Sequence, residues 1–234
     1  MADHGAAGRL SAPPDEDPIV LEQKRAAARA AVEMIRAGMR VGLGTGSTFA
    51  HLLPLIAELD FHRGLRCAAT SPATEAAAIS LGLRVEPLDS LGELDIAIDG
   101  ADQVDPDAWV VKGGGGAHTR EKIVAAAAAC FVVIVSADKV VEHIEPPVPV
   151  ELVPFGVEHT LATLSPAELR EGCVSPDGGL LGDYLGPVGD PRTLAGRLSA
   201  TAGVVEHGLF PPEMVSQVLI GEQGGVRRQE GAKA

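Results

Sequence analysis

The chain has 234 residues, enough for one large domain or a domain with a smaller companion, and for a substantial core. Aromatic residues are only 3% of it and the formal charge is -13, which argues against a nucleic-acid partner, since base stacking needs aromatic surface and phosphate needs clustered Lys and Arg. The three cysteines, Cys67, Cys130 and Cys173, are far apart and give neither a disulfide framework nor metal-ligand spacing, and no segment reaches the length of a membrane span, so a reducing cytoplasm fits best.

Met1 to Asp17 are rich in Ala, Gly, Pro and acid, with no basic start and no apolar stretch. They read as a disordered tail and not as a targeting peptide. The apolar spacing from Ile19 to Ile35 predicts a helix over Pro18–Ala37, ended near Gly38. Arg40 to Gly44 is a short strand, followed by a helix from about Phe49 to Ala57. Arg66–Thr70 is a strand, Pro72–Leu81 a helix, and Arg84 to Pro87 continues the alternation. Leu94–Asp99 is a strand whose carboxyl end delivers Asp99, and Trp109–Val111 a brief strand leading to Lys112. Glu121–Ala129 is an alanine-rich helix, and the apolar run Cys130–Val135 has the texture of a parallel strand buried on both faces. This repetition up to about Lys139 predicts an α/β fold, an open and mostly parallel sheet covered by helices.

After Pro146 the texture changes. A segment at Val150–Phe155, a helix near His159–Leu164, strands near Leu180 and Val204 and a helix over Pro191–Ala200 form a small α+β unit. Val215–Ile220 reads as a strand returning to the first sheet. The division is therefore a tail at 1–17, an α/β unit at 18–146 and 211–234, and a smaller unit at 147–210.

Ligands of open α/β sheets sit outside the carboxyl ends of the strands, and three segments here fall at such ends. The first, Gly44-Thr45-Gly46-Ser47-Thr48, joins a strand to a helix N-terminus, where free N–H groups and the helix dipole favour phosphate. The hydroxyls of Thr45, Ser47 and Thr48 would add donors; a plain tight turn with a Ser/Thr cap would look the same. The segment matches neither a Walker loop nor the dinucleotide fingerprint. In the second, Asp99-Gly100-Ala101-Asp102, two carboxylates can exchange protons with substrate hydroxyls or can merely cap a loop. Their spacing lacks the calcium-loop pattern, and no histidine completes a zinc site. The third is Lys112 followed by Gly113, Gly114, Gly115 and Gly116, where a cation and backbone N–H groups can meet an oxyanion. Glu121, in the first turn of its helix, either complements the dipole or serves as a general base. Base, oxyanion partner, proton-exchanging carboxylates and phosphate cradle together suit proton abstraction beside a carbonyl.

Gly-Thr-Gly-Ser-Thr at 44–48, Asp-Gly-Ala-Asp at 99–102, Lys-Gly-Gly-Gly at 112–115, Thr-Arg-Glu-Lys at 119–122, Ser-Ala-Asp-Lys at 136–139 and the run Val204 to Phe210 resemble, in order and spacing, ribose-5-phosphate isomerase of the A type. The resemblance spans about Lys24 to Val226. It implies interconversion of D-ribose 5-phosphate and D-ribulose 5-phosphate without metal or cofactor, in an α/β domain with a smaller α+β lid, assembled as a dimer or tetramer. It makes Glu121 the base and Lys112 the oxyanion partner, and gives Asp99 and Asp102 the sugar hydroxyls and ring opening. It makes Thr45, Gly46, Ser47 and Thr48 the substrate loop, with Gly100, Ala101, Gly113, Gly114 and Gly115 in contact with substrate. Lys139 becomes a further substrate lysine, and Lys24 a lysine near the phosphate. Gln103, His118, a shortened 157–183 segment and the turn Pro176-Asp177-Gly178-Gly179 depart from the family pattern and bear on the lid. Two other classes share parts of these motifs: a non-catalytic sugar-phosphate sensor, and related enzymes such as an amino-sugar phosphate isomerase or a CoA transferase. The pairing of Lys112 with Glu121 argues against both.

Overall fold

A computed structural model describes residues 16–233; of the expected tail, residues 1–15 lie outside the described residues. Asp17 is not tail but the N-cap of α1 (Pro18–Val32), its carboxylate accepting from the Ile19 N–H at 2.8 Å. The helix stops earlier than its apolar spacing suggests, because Met34 and Ile35 form tight i→i+3 turns that swing the chain into β1 (Arg40–Leu43). α2 (Ser47–Ala57), β2 (Arg66–Ala69), α3 (Pro72–Ser80), β3 (Arg84–Val85), a short α4 (Leu88–Leu91) and β4 (Leu94–Asp99) continue the alternation. β5 (Gln103–Val104) and β6 (Val110–Val111) precede α5 (His118–Ala127) and β7 (Ala128–Ser136). β8 (Val148–Leu152), α6 (Val157–Leu164), β9 (Ala167–Val174), β10 (Leu180–Tyr184), α7 (Pro191–Ala200) and β11 (Val204–His207) follow. β12 (Leu209–Phe210), β13 (Gln217–Glu222) and β14 (Gly225–Glu230) close the described chain.

The main sheet has seven strands in the order β14-β13-β7-β4-β1-β2-β3, all parallel except the antiparallel edge strand β14. Its central strands β1, β4, β7 and β13 are largely buried on both faces, with the period of two that the pleat imposes. Ile96, Ile98, Val132 and Ile134 pack with α1, α2 and α3, while Ala97, Phe131, Val133 and Val135 pack with α4 and α5. The segment at Val215–Ile220 does return to this sheet, as β13 beside β7. The brief strand before Lys112 does not belong to it: β6 pairs antiparallel with β5 and β12 in a separate three-stranded ribbon. β8 to β11 form a four-stranded antiparallel sheet, order β11-β8-β10-β9, whose core with α6 and α7 includes Val150, Leu152, Tyr184 and Leu198. The α/β class read from the sequence is the class observed. Among the described residues, no helix is long and apolar enough to cross a membrane.

Candidate active site

The site begins where β1 and β4 end side by side. Gly44 must be glycine, since a Cβ there would lie 2.2 Å from Asp99 Oδ1. Gly46, the N-cap of α2, has a φ of 108°, a conformation L side chains rarely adopt. No side chain caps α2, so its first N–H groups, at Ser47 and Thr48, are left for an anion. Lys24 on α1 donates to Ser47 Oγ at 2.7 Å and also pairs with Glu16.

The Thr45 hydroxyl departs from expectation. It meets Thr70 Oγ1 at 2.7 Å and Ser71 Oγ at 3.0 Å, inside a hydroxyl cluster in which Thr74 donates to the Gly44 carbonyl at 2.8 Å. Thr45 N–H is spent on Asp99 Oδ1, at 2.9 Å. Thr45 therefore builds the loop, and the free donors of the segment belong to Ser47 and Thr48.

At the floor lie three buried charges. Lys112 Nζ is 3.0 Å from Asp99 Oδ2 and 3.2 Å from Glu121 Oε2, and donates to the Gly100 carbonyl at 2.5 Å. Lys112, Asp99 and Glu121 are 2%, 2% and 4% exposed. One ammonium cannot fully compensate two buried carboxylates. Burial pushes the Glu121 carboxyl up to about 8, against the pull of Lys112 and helped by the charge of Asp99. Burial also raises Asp99, opposed by Lys112 and by the N–H groups of Thr45 and Gly100. For Lys112, burial favours loss of the proton, but Asp99 and Glu121 outweigh it and hold its pKa above the ordinary lysine value. The two carboxylates differ in one respect: Asp99 accepts from two backbone amides, at 2.9 and 2.7 Å, whereas Glu121 has only Lys112 for a polar partner among the described residues.

Lys112 arrives from the ribbon and not from a main-sheet strand; its N–H donates to the Gly208 carbonyl at 2.9 Å. Phe210 lies under the ammonium, its ring centroid 5.8 Å from Nζ. Glu121 is aimed by its neighbours. His118 Nε2 meets the Glu206 carbonyl, Thr119 Oγ1 donates to Glu151, Arg120 pairs with Asp177, and Lys122 donates to Glu206 and to the His207 carbonyl. The residues on either side of Glu121 thus fasten α5 to the antiparallel sheet and leave Glu121 facing the cleft.

That cleft, of about 130 Å³, is lined by Thr45, Gly46, Ser47, Thr48, Gly100, Ala101, Asp102, Lys112, Gly113, Gly114, Gly115, Glu121 and Lys139. The structure thus brings together every residue expected at the site except Asp99 and Lys24, which stand behind it and hold Lys112 and Ser47. Asp102, exposed at the rim, accepts from the Gly114 N–H at 2.8 Å. Sequence reading missed Arg170, which the fold carries to the Gly113 and Gly114 carbonyls, and Asp183, Glu151 and Ser175, which stand farther back and hold Arg170 or, through Glu151, Thr119. Glu151 is 2% exposed and takes Ser175 Oγ at 2.6 Å and Thr119 Oγ1 at 2.5 Å; nothing in the local sequence marks it.

Comparison with known proteins gives the family. The family profile for Ribose 5-phosphate isomerase A (phosphoriboisomerase A) matches residues 66–225. The chain is 42% identical over 230 residues to ribose-5-phosphate isomerase A of Rhodopseudomonas palustris (strain TIE-1), covering 90% of this chain and 98% of that one. It is 45% identical over 222 residues to the Afipia carboxidovorans protein of the same name, covering 87% and 94%. A D-ribose-5-phosphate isomerase solved in complex with phospho-erythronic acid superposes with a TM-score of 0.85 at 33% identity, covering 90% of this chain and 99% of that one. Ribose 5-phosphate isomerase A from Methanocaldococcus jannaschii gives 0.83 at 32% identity, covering 90% and 99%. The chain belongs to the ribose 5-phosphate isomerase A family.

Proposed function

We propose that this chain interconverts D-ribose 5-phosphate and D-ribulose 5-phosphate, a step of the non-oxidative pentose phosphate pathway, by moving a proton between C2 and C1 through an enediolate. The observation that carries the reading is the buried pair of Glu121 and Lys112, 3.2 Å apart on the floor of a cleft walled by the α2 N-terminus. Glu121 takes the proton from C2, the electron pair forms the C1–C2 double bond, and the charge falls on the C1 oxygen beside Lys112. Glu121 then returns the proton to C1, the O2 hydroxyl proton is lost and O1 gains one, leaving the ketone at C2. Glu121 is the base and not Asp99, because a carboxylate free of amide donors is the stronger base and Glu121 alone of the two lines the cleft.

Asp102, at the rim, exchanges protons with the sugar hydroxyls and serves ring opening, while Asp99 holds Lys112 in place. The amides of Ser47 and Thr48, the Ser47 hydroxyl and Lys24 behind it receive the phosphate, with Lys139 also lining the cleft and the glycines from Gly113 to Gly115 near the reacting oxygens. We place the reaction in the cytoplasm, where the free thiols of Cys67, Cys130 and Cys173 stay reduced, and in a homodimer or homotetramer. A coupled assay offering ribose 5-phosphate, arabinose 5-phosphate and allose 6-phosphate tests the substrate: turnover of the first alone is expected, and preference for either other sugar contradicts the assignment.

A further inference from the structure

The antiparallel sheet reaches the glycine run through one side chain. Arg170, on β9, donates through Nη1 to two successive carbonyl oxygens, Gly113 at 2.7 Å and Gly114 at 3.3 Å. Its Nε and Nη2 are held by the two carboxylate oxygens of Asp183 on β10, at 2.8 and 2.7 Å. This fork-on-carboxylate geometry fixes the plane of the guanidinium.

In a trans peptide the C=O and the N–H point in opposite directions. Holding the Gly113 and Gly114 carbonyls from the side of the antiparallel sheet therefore turns the N–H groups of Gly114 and Gly115 away from Arg170. The Gly114 N–H lands on Asp102 Oδ2, at 2.8 Å. The Gly115 N–H donates to no group among the described residues, and Gly115 lines the cleft. Glycine carries the largest set of backbone states, so the run cannot select this orientation unaided. Its one internal bond, from the Gly116 N–H to the Gly113 carbonyl at 3.0 Å, leaves the Gly114–Gly115 peptide free to flip.

We infer that Arg170, oriented by Asp183, is a positioning residue that sets both glycine peptides, the Gly114 amide onto Asp102 and the Gly115 amide into the cleft, where the Gly115 amide serves as the donor accompanying Lys112. The part played in the reaction rests on the isomerase reading above; the aiming of the amides does not. An ordinary cross-strand ion pair would affect stability and leave turnover alone. R170K keeps the charge but cannot span both carbonyls and Asp183 at once.

The test measures kcat and KM for R170Q, R170K and D183N with ribose 5-phosphate, together with backbone hydrogen exchange over residues 113–116. R192Q, which breaks the exposed Arg192–Glu213 pair, serves as the control. R170Q is expected to lose about 10- to 100-fold in kcat, as for a misplaced donor, with KM little changed. R170K and D183N should lose part of that, and R192Q none. Amide exchange over 113–116 should quicken at least about tenfold in R170Q, or in R170K should R170Q fail to fold. Unchanged exchange there overturns the inference, whatever the chain catalyses. Faster exchange with unchanged kcat overturns the role of the Gly115 amide in the reaction. Faster exchange in a chain whose wild type ignores ribose 5-phosphate overturns the assigned reaction and upholds Arg170 as the residue that aims the loop.

Discussion

Lys112 Nζ stands 3.2 Å from Glu121 Oε2 while the same ammonium holds Asp99 Oδ2 at 3.0 Å. One cation between two buried carboxylates explains why Lys112 stays charged, whereas burial and the charge of Asp99 make Glu121 hold its proton unusually well against the pull of Lys112. It also joins the ends of three pieces of structure: β4, the loop after β6 and the first turn of α5.

Removing the cation strands both carboxylates. Breaking a buried ion pair by deleting one partner costs about 3–5 kcal/mol, so K112M should melt well below the wild type. In the double variant K112M/D99N one stranded charge is gone, and part of that stability should return without any return of activity. Equal melting temperatures for wild type and K112M, by calorimetry, would contradict the three-charge arrangement.

The pH response follows from the same site. The Glu121 carboxyl is raised from its ordinary 4.5 to about 8, chiefly by burial. Between those values the folded chain binds one proton more than the unfolded chain, so this group's contribution to stability falls as pH rises through that window. The base form is gained in the same direction, and kcat/KM should climb with pH towards about 8. A profile already flat from about pH 5 upwards would show a base in the ordinary carboxylate range. E121Q should remove the matching slope from a plot of melting temperature against pH.

Two neighbouring hydroxyls should behave differently. S47A removes a group placed between Lys24 and the cleft, and should raise KM by about tenfold, roughly 1.4 kcal/mol of binding, with little change in kcat. T45A instead deprives the buried hydroxyls of Thr70, Ser71 and Thr74 of a partner, costing about 1–3 kcal/mol of stability. Steady-state kinetics beside denaturant unfolding separates them; a KM effect in T45A equal to that in S47A would return Thr45 to the phosphate.

Much of this was legible in the sequence, because the informative signals are local. The apolar strands of the main sheet carry their own period, Asp99 ends β4 at the residue where the strand was expected to end, and α7 has the bounds that Pro191 and the apolar spacing suggest. The segments that were not read share one physical cause. β9 and β14 are polar edge strands, with Glu168, Arg170 and Glu171 on one and Arg227 and Arg228 on the other, so neither shows a buried face. β5, of two residues, exists only through its pairing with β6. At the site, the glycines and charges could be read as motifs, but the direction of the Thr45 hydroxyl is a rotamer choice made by Thr70, Ser71 and Thr74. Arg170 and Glu151 look like ordinary charged residues until the fold carries them to Gly113 and Thr119, 57 and 32 positions away.

Activity should survive exhaustive chelation. The developing oxyanion is met by Lys112, so a metal has no electrostatic task left at that oxygen. Dialysis against a strong chelator followed by assay checks this; a large loss restored by zinc, magnesium or manganese would contradict the role given to Lys112.

The assignment of Glu121 as base is tested most directly by E121Q, assayed for turnover and for exchange of solvent deuterium into the substrate's C1 and C2 positions. Glutamine keeps the size of the side chain and can still hydrogen-bond, but cannot take a proton. Turnover should fall by about 10²–10⁴-fold, the amount a positioned general base supplies, and deuterium exchange should fall in step while substrate binding is largely kept. An E121Q chain that isomerises ribose 5-phosphate and exchanges deuterium near the wild-type rate would contradict the account, and Asp99 would become the base to examine next.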